Sequence, residues 1–443
     1  MSTPLRVVAP DFAALRQREF ARLDATGCVY LDYTGAALYP ASLVSRDAHR
    51  LATRVMGNPH AQSTPSLAST EAIEKARRLT LRLLDAKASD YEVIFTANAT
   101  GAMRILAEAF PFQRDSRLVL TADNHNSVNG LRVPARKRGA QVDYTPLDGE
   151  LRAADPSPWL TRAAGPSLFA FPAQSNFSGA HHPLAWVRQA QESGYHVLLD
   201  AAAYLPSRPI SLTEVPADFV ALSYYKLFGY PTGVGALVGR REALTRLRRG
   251  YFGGGTVQFA SVENRFARFK DGADGFEDGT ANFLAMPSVC DGLEWLLEIG
   301  MWNIQEHVQR LTGLLLDTLA GFGDKAVVYG PRNLNERGGT VAFNLRRAGR
   351  VVPFESVEAA SRKDEIAIRG GCFCNPGAAE QAFDIPANAA RACLQGQFSI
   401  PRFRRCLGGR AVGALRASIG LANSVRDIQF FSGWISKTLG TFD

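Results

Sequence analysis

Along the first three hundred residues, short and mainly apolar runs alternate with stretches in which apolar residues recur every three or four positions. The runs Val93-Ile-Phe95, Leu118-Val-Leu120, Leu168-Phe-Ala-Phe171, His196-Val-Leu-Leu199 and Phe219-Val-Ala-Leu222 read as buried strands. The helical spacing covers about 12–23, the segment from Pro40 with Val44, Ala48, Leu51 and Val55, then 69–84, 102–110, 131–139, 184–194, 287–299 and 304–319. Strand alternating with helix predicts an α/β fold, a mainly parallel sheet wrapped by helices, with polar residues at the strand ends converging on one crevice. From about Ala320 the pattern changes: Val327-Val-Tyr329, Thr340-Val-Ala-Phe343 and Ile366-Ala-Ile-Arg369 are short strands around a helix near 355–361, which predicts a smaller α+β domain. The expected division is 1–45, a segment packing with the small domain and carrying a strand at Val29-Tyr-Leu-Asp32; 46–319, the large domain; and 320–443, the small one.

The ends of the predicted strands carry the chemistry. After Phe95 comes Thr96-Ala-Asn-Ala-Thr-Gly101, a small polar turn opening a helix, where Ala99, Thr100 and neighbouring amides suit an anion; such turns also serve as simple caps. The later strands deliver Asp123-Asn-His125-Asn-Ser127, Gln174-Ser-Asn176, Asp200 and Ser223-Tyr-Tyr-Lys226. Lys226 is expected at a strand terminus, ahead of the turn residues Gly229, Pro231, Gly233 and Gly235. A surface lysine is the plain reading. Boxed in by aromatic residues, however, its ammonium is desolvated, its pKa falls, and the neutral amine can attack a carbonyl. Asp200 can cap Ala201-Ala-Ala203 or hold a pyridine nitrogen protonated. His125 can be a hydrogen-bonded histidine, or can stack on a flat ring and move protons near neutral pH. Thr100, His125, Asn176, Asp200, Ser223 and Lys226 are thus expected to line one site.

Composition narrows the picture. With 443 residues, 46% of them hydrophobic, there is ample material for a core. The net charge of +8 collects in arginine groups such as Arg240-Arg241 and Arg402, Arg404 and Arg405. No aromatic-interleaved basic stripe accompanies them, which argues against nucleic acid as a partner. No apolar run reaches the roughly 18 residues that span a bilayer, and Asp11, Arg16, Arg18 and Glu19 do not fit a cleavable leader. Six scattered cysteines without a framework spacing suit a reducing, cytoplasmic setting.

Two of those cysteines stand in Arg369-Gly-Gly-Cys-Phe-Cys-Asn-Pro-Gly377, a mobile or sharply turned loop. As zinc ligands Cys372 and Cys374 lack a second pair, because Cys28, Cys290, Cys393 and Cys406 are singletons. Inert packing is a second reading, and a nucleophilic thiol on the loop is preferred. Arg416, in Ala414-Leu-Arg-Ala-Ser-Ile419, reads as a strand-edge arginine paired with an acid.

Thr100, His125, Asp200 and the run Ser223-Tyr-Tyr-Lys226 resemble the signature set of fold-type I pyridoxal-phosphate enzymes of the class V aminotransferase superfamily. The resemblance implies pyridoxal 5'-phosphate joined to Lys226, its ring nitrogen paired with Asp200, and His125 stacked over the ring. It also implies a phosphate held by Ala99, Thr100 and Ser223, with Asn176 beside the ring oxygen or the substrate. Thr280, in Phe276-Glu-Asp-Gly-Thr-Ala-Asn282, would bind the phosphate across a two-fold axis, so a homodimer with shared sites is implied. Ala203 departs from the pattern, since many relatives place a glutamine there. More narrowly, FTANATGAM, DNHNSV, ADFVALSYYKLFGYPTGVGAL, YFGGGTV, FEDGTANF, RGGCFCNPGA and GALRASIG together resemble the N-terminal, cysteine-desulfurase-like domain of molybdenum cofactor sulfurases. That implies L-cysteine as substrate, Arg416 on its carboxylate, and a persulfide aligned best with Cys374, Cys372 being the second choice. The sulfur then passes to an acceptor protein or cofactor. Such relatives usually continue into a C-terminal cofactor-binding domain where this sequence stops at Asp443. A C–S lyase, epimerase or aminotransferase acting on another amino acid is the alternative.

Overall fold

The computed structural model describes residues 10–393, 397 and 399–440. Its central sheet has seven strands: β1 (Tyr91–Thr96), β2 (Arg117–Thr121), β3 (Gln141–Thr145), β4 (Ser167–Pro172), β5 (Tyr195–Asp200), β6 (Phe219–Ser223) and β7 (Gly235–Arg240). They lie in the order β1-β7-β6-β5-β4-β2-β3, with β7 antiparallel to both neighbours and the other pairings parallel. Successive side chains on a strand point to opposite faces. Ile94, Leu118, Leu120, Leu168, Leu198 and Phe219 accordingly enter one apolar layer, and Val93, Phe95, Val119, Phe169, Val197 and Val220 enter the other. Helices cover both faces, which is why these strands are apolar throughout rather than alternating.

The second sheet is antiparallel, ordered β8 (Ala326–Tyr329), β9 (Thr340–Arg347), β11 (Ala414–Ser418) and β10 (Arg369–Gly371). The N-terminal segment is tied to it: Val29–Tyr30 pairs in parallel with Ile366–Ala367, and Asp32 bridges to Ser418. The two long helices Met301–Ala320 and Val425–Leu439 pack against one another beside it.

Four expectations need correcting. Lys226 is not at a bare strand end but in a one-turn helix, Tyr224–Phe228, because Gly229 at φ +78° stops that helix only after the lysine has passed. β3, a half-exposed edge strand of mixed residues, carries no apolar run and is absent from the predicted strands. The hairpin Val257–Ser261 with Phe266–Phe269, which follows the glycine-rich turn after Tyr251, is likewise absent from the predicted strands. Lastly, the six cysteines are not all unpaired. Cys393 and Cys406 end two short helices that fold back on each other, bringing their Cα atoms to 5.7 Å, and they form a disulfide; Cys28, Cys290, Cys372 and Cys374 are free.

Candidate active site

Lys226 is fixed by what surrounds it on its short helix. The Tyr224 ring is fully buried, its hydroxyl 2.7 Å from that of Thr80, and Phe228 is buried against the glycine face of helix Met286–Ile299 at Gly292. The lysine itself is half-buried and its ammonium has no ion pair or hydrogen bond among the described residues. Burial pushes its pKa below the ordinary lysine value; the Asp200 carboxylate partly offsets this, while Arg416 and Arg369 add to the fall. His125 is likewise lowered by burial, with Asp200 opposing and Lys226 and Arg416 adding to the effect. These mutual influences put His125, Asp200, Lys226 and Arg416 around one space.

Asp200, His125 and Lys226 each lie at or just beyond the C-terminal end of a central strand. Asp200 closes β5; one carboxylate oxygen accepts the Ala202 N–H at 3.0 Å, and the other takes no hydrogen bond among the described residues. His125 follows β2, and its Nδ1 accepts the Ser127 N–H at 3.1 Å, which leaves the ring proton on Nε2. The Ser127 hydroxyl lies 3.0 Å from that nitrogen and 2.8 Å from the Thr100 hydroxyl. Thr100 stands in the first turn of helix Ala99–Ala109, whose N-cap Asn98 accepts the Gly101 N–H at 3.0 Å. The Ala99 N–H is donated to Ser223 Oγ at 2.8 Å, so Ser223 fastens the start of this helix to the end of β6. The Thr100 N–H and the helix dipole remain for an anion.

The opposite wall belongs to the small sheet. Arg416 on β11 is almost wholly buried, donating from Nη2 to Asp32 at 3.0 Å and from Nη1 to the Asn176 carbonyl at 3.0 Å. Its Nε is buried without a partner. Desolvation lowers its pKa to about 10 even beside Asp32. Below its guanidinium, 4.7 Å away, lies the ring of Phe373, the residue between the two loop cysteines. The loop itself is a tight turn: Asn375 N–H bonds to Cys372 carbonyl at 2.9 Å, with φ of +54° at Phe373 and +56° at Cys374, the signature of a type I′ turn. Phe373 is buried against Phe177, whereas Cys372 and Cys374 are exposed, and Arg416 feels the Cys374 thiol.

Two expected residues stand differently from the rest. Both ends of the Asn176 carboxamide are engaged by the cysteine turn, Nδ2 donating to the Phe373 carbonyl at 2.7 Å and Oδ1 accepting from Asn375 at 3.0 Å. Thr280 is exposed on a loop, where it accepts from Asn58 at 3.3 Å and has no recorded contact with Lys226 or Asp200. Three residues of the site went unread in the sequence. Asp32 also pairs with Arg369 at 2.6 Å, Arg369 lies directly across the sheet from Arg416, and Asn375 is fully buried beneath the turn. The acid expected opposite a strand arginine was a signal for Asp32, but only the pairing of residues 29–32 with the small sheet brings it there.

A model of the family described as Aminotransferase class-V matches residues 29–431. Among curated proteins, the chain is 33% identical to the molybdenum cofactor sulfurase of Arabidopsis thaliana, over 96% of this chain and 58% of that protein. It is 34% identical to the molybdenum cofactor sulfurase of Homo sapiens, over 96% of this chain and 51% of that one. The chain therefore spans little more than half the length of these relatives. Among solved structures, the apo cysteine desulfurase of Thermococcus onnurineus NA1 superposes with a TM-score of 0.81 at 23% identity, covering 97% of this chain and 98% of that one.

Proposed function

Since the chain belongs to the class-V aminotransferase family, we propose that it is a pyridoxal-phosphate-dependent cysteine desulfurase, taking sulfur from L-cysteine to leave L-alanine and an enzyme-bound persulfide. The donor set fits the cofactor: an unpaired amine at Lys226, an open carboxylate oxygen on Asp200, and a free N–H with hydroxyls at the start of helix Ala99–Ala109. When bound, pyridoxal 5'-phosphate supplies an aldehyde for the substrate amine and a ring that withdraws charge from the substrate Cα.

The residues divide the work as follows. Thr100, with Ser223 and Ala99 holding its helix in place, would take the phosphate, Asp200 would hold the proton on the ring nitrogen, and His125 would help to hold the ring. Arg416 grips the substrate carboxylate through its unpartnered Nε, a contact worth roughly 1.5–3 kcal/mol as a charge-assisted hydrogen bond. Lys226, its pKa lowered by burial, removes and returns the Cα proton. Cys374, as thiolate, attacks the substrate sulfur; the S–S bond of the persulfide forms as the substrate Cβ–S bond breaks, and the electron pair left on carbon takes up a proton to give alanine.

The observation that carries this reading is the unpartnered amine of Lys226 within electrostatic reach of Asp200, His125 and Arg416, with an exposed cysteine pair on the turn beside Arg416. Incubation with L-cysteine and cofactor tests it. Alanine in step with sulfide or persulfide supports it, and pyruvate with ammonia assigns a C–S lyase instead.

By likeness to the sulfurases, the acceptor is a molybdenum cofactor or the protein that carries it, in the cytoplasm. A homodimer in which exposed Thr280 reaches the phosphate of the second copy, and a division at about residues 45 and 319, complete the reading.

A further inference from the structure

The sequence Gly-Gly-Cys-Phe-Cys-Asn-Pro-Gly suggests a swinging loop, yet its last polar residue is buried and fully committed. Asn375 has no exposed surface. Its Nδ2 donates to the Asp123 carbonyl at 2.6 Å and to Asn176 Oδ1 at 3.0 Å, while its Oδ1 caps helix Pro376–Ala382 by accepting the Ala378 N–H at 3.2 Å. Two further bonds cross the same seam: Asn126 N–H to the Cys374 carbonyl at 2.7 Å, and Asn176 Nδ2 to the Phe373 carbonyl at 2.7 Å. Gly377 sits so close to Ala122 that no side chain fits between them.

Apart from the Ala378 cap, every one of these partners belongs to the segment that presents His125 or to the Asn176 loop. The turn also holds two consecutive non-glycine residues at positive φ, a strained conformation that persists only where surroundings enforce it. We propose that Asn375 is a positioning residue that latches the Cys372–Asn375 turn to the Asp123–Asn126 and Asn176 segments, holding Cys374 at a fixed place beside Arg416 for sulfur capture. This rests on the desulfurase reading for its consequence, although the latch itself does not.

The test separates the latch from the helix cap. In Asn375→Ser the hydroxyl can still cap the helix, but the two hydrogen bonds from Nδ2 are gone; Asn375→Ala removes both. With the cofactor-loaded protein, hydrogen exchange of peptides covering 122–128 and 370–378 is expected to quicken about tenfold or more in the serine variant. The KM for L-cysteine and the cofactor absorbance should hold, and kcat for alanine should fall about tenfold. Unchanged exchange overturns the latch, whatever the wild-type chain does with L-cysteine. Faster exchange with unchanged kcat overturns its positioning role. A wild-type chain that makes no alanine overturns the desulfurase reading alone, and the exchange comparison still decides the latch.

Discussion

Asp32 and Arg416, 384 residues apart in sequence, meet in a 3.0 Å ion pair that joins the N-terminal segment to the small sheet at the substrate wall. The same carboxylate holds Arg369 at 2.6 Å, so one acid orients two arginines standing opposite each other on β10 and β11.

Asp32→Asn should therefore act on binding and stability together. Removing one partner of a buried pair costs roughly 3 kcal/mol, and an Arg416 free to turn away should raise the KM for L-cysteine about tenfold with a smaller change in kcat. Steady-state kinetics beside thermal unfolding check this; an unchanged KM contradicts it.

Cys374→Ala should keep the cofactor and its absorbance but lose alanine formation from L-cysteine, whereas Cys372→Ala should retain most of it. Amino-acid analysis of the reaction reads the difference. Loss in the Cys372 variant alone would reverse the assignment.

The charge pattern predicts a pH signature in the cofactor-free protein. His125 titrates below the ordinary histidine value, with Asp200 raising it and Lys226 lowering it. Asp200→Asn should lower the midpoint further and Lys226→Met should raise it, as read from the imidazole proton by NMR. Because the folded-state value lies below that of the unfolded chain, the contribution to stability is complete above about pH 6.5. It is lost as pH falls through the folded value, and His125→Asn should flatten that acid limb.

Gly235→Ala tests the anion end. A Cβ there would lie 2.5 Å from the Asn98 backbone, the N-cap of helix Ala99–Ala109. The helix start must shift, at a cost of about 1–3 kcal/mol, and affinity for pyridoxal 5'-phosphate should fall, as titration of the absorbance will show.

The central sheet was legible because a sheet covered on both faces writes itself as apolar runs, with the candidate site residues beyond their ends: Thr100, His125, Asp200 and Lys226 all follow such runs. β3 escaped because an edge strand lacks that signature. Asp32, Arg369 and Asn375 escaped because their roles depend on contacts across 199 residues or more, such as Asn375 with Asn176 or Arg369 with Asp32, and nothing local distinguishes them. The cysteine turn was read as sharply turned or mobile; Phe373 and Asn375, buried on either side of Cys374, give it a fixed course that the flanking glycines conceal.

The central claim is that the Lys226 amine carries the cofactor. Borohydride reduction of the loaded protein, followed by peptide mass spectrometry, tests it most directly: the pyridoxyl mass is expected on Lys226 and absent from Lys226→Arg. The same mass on another lysine, or none on any, would contradict the account.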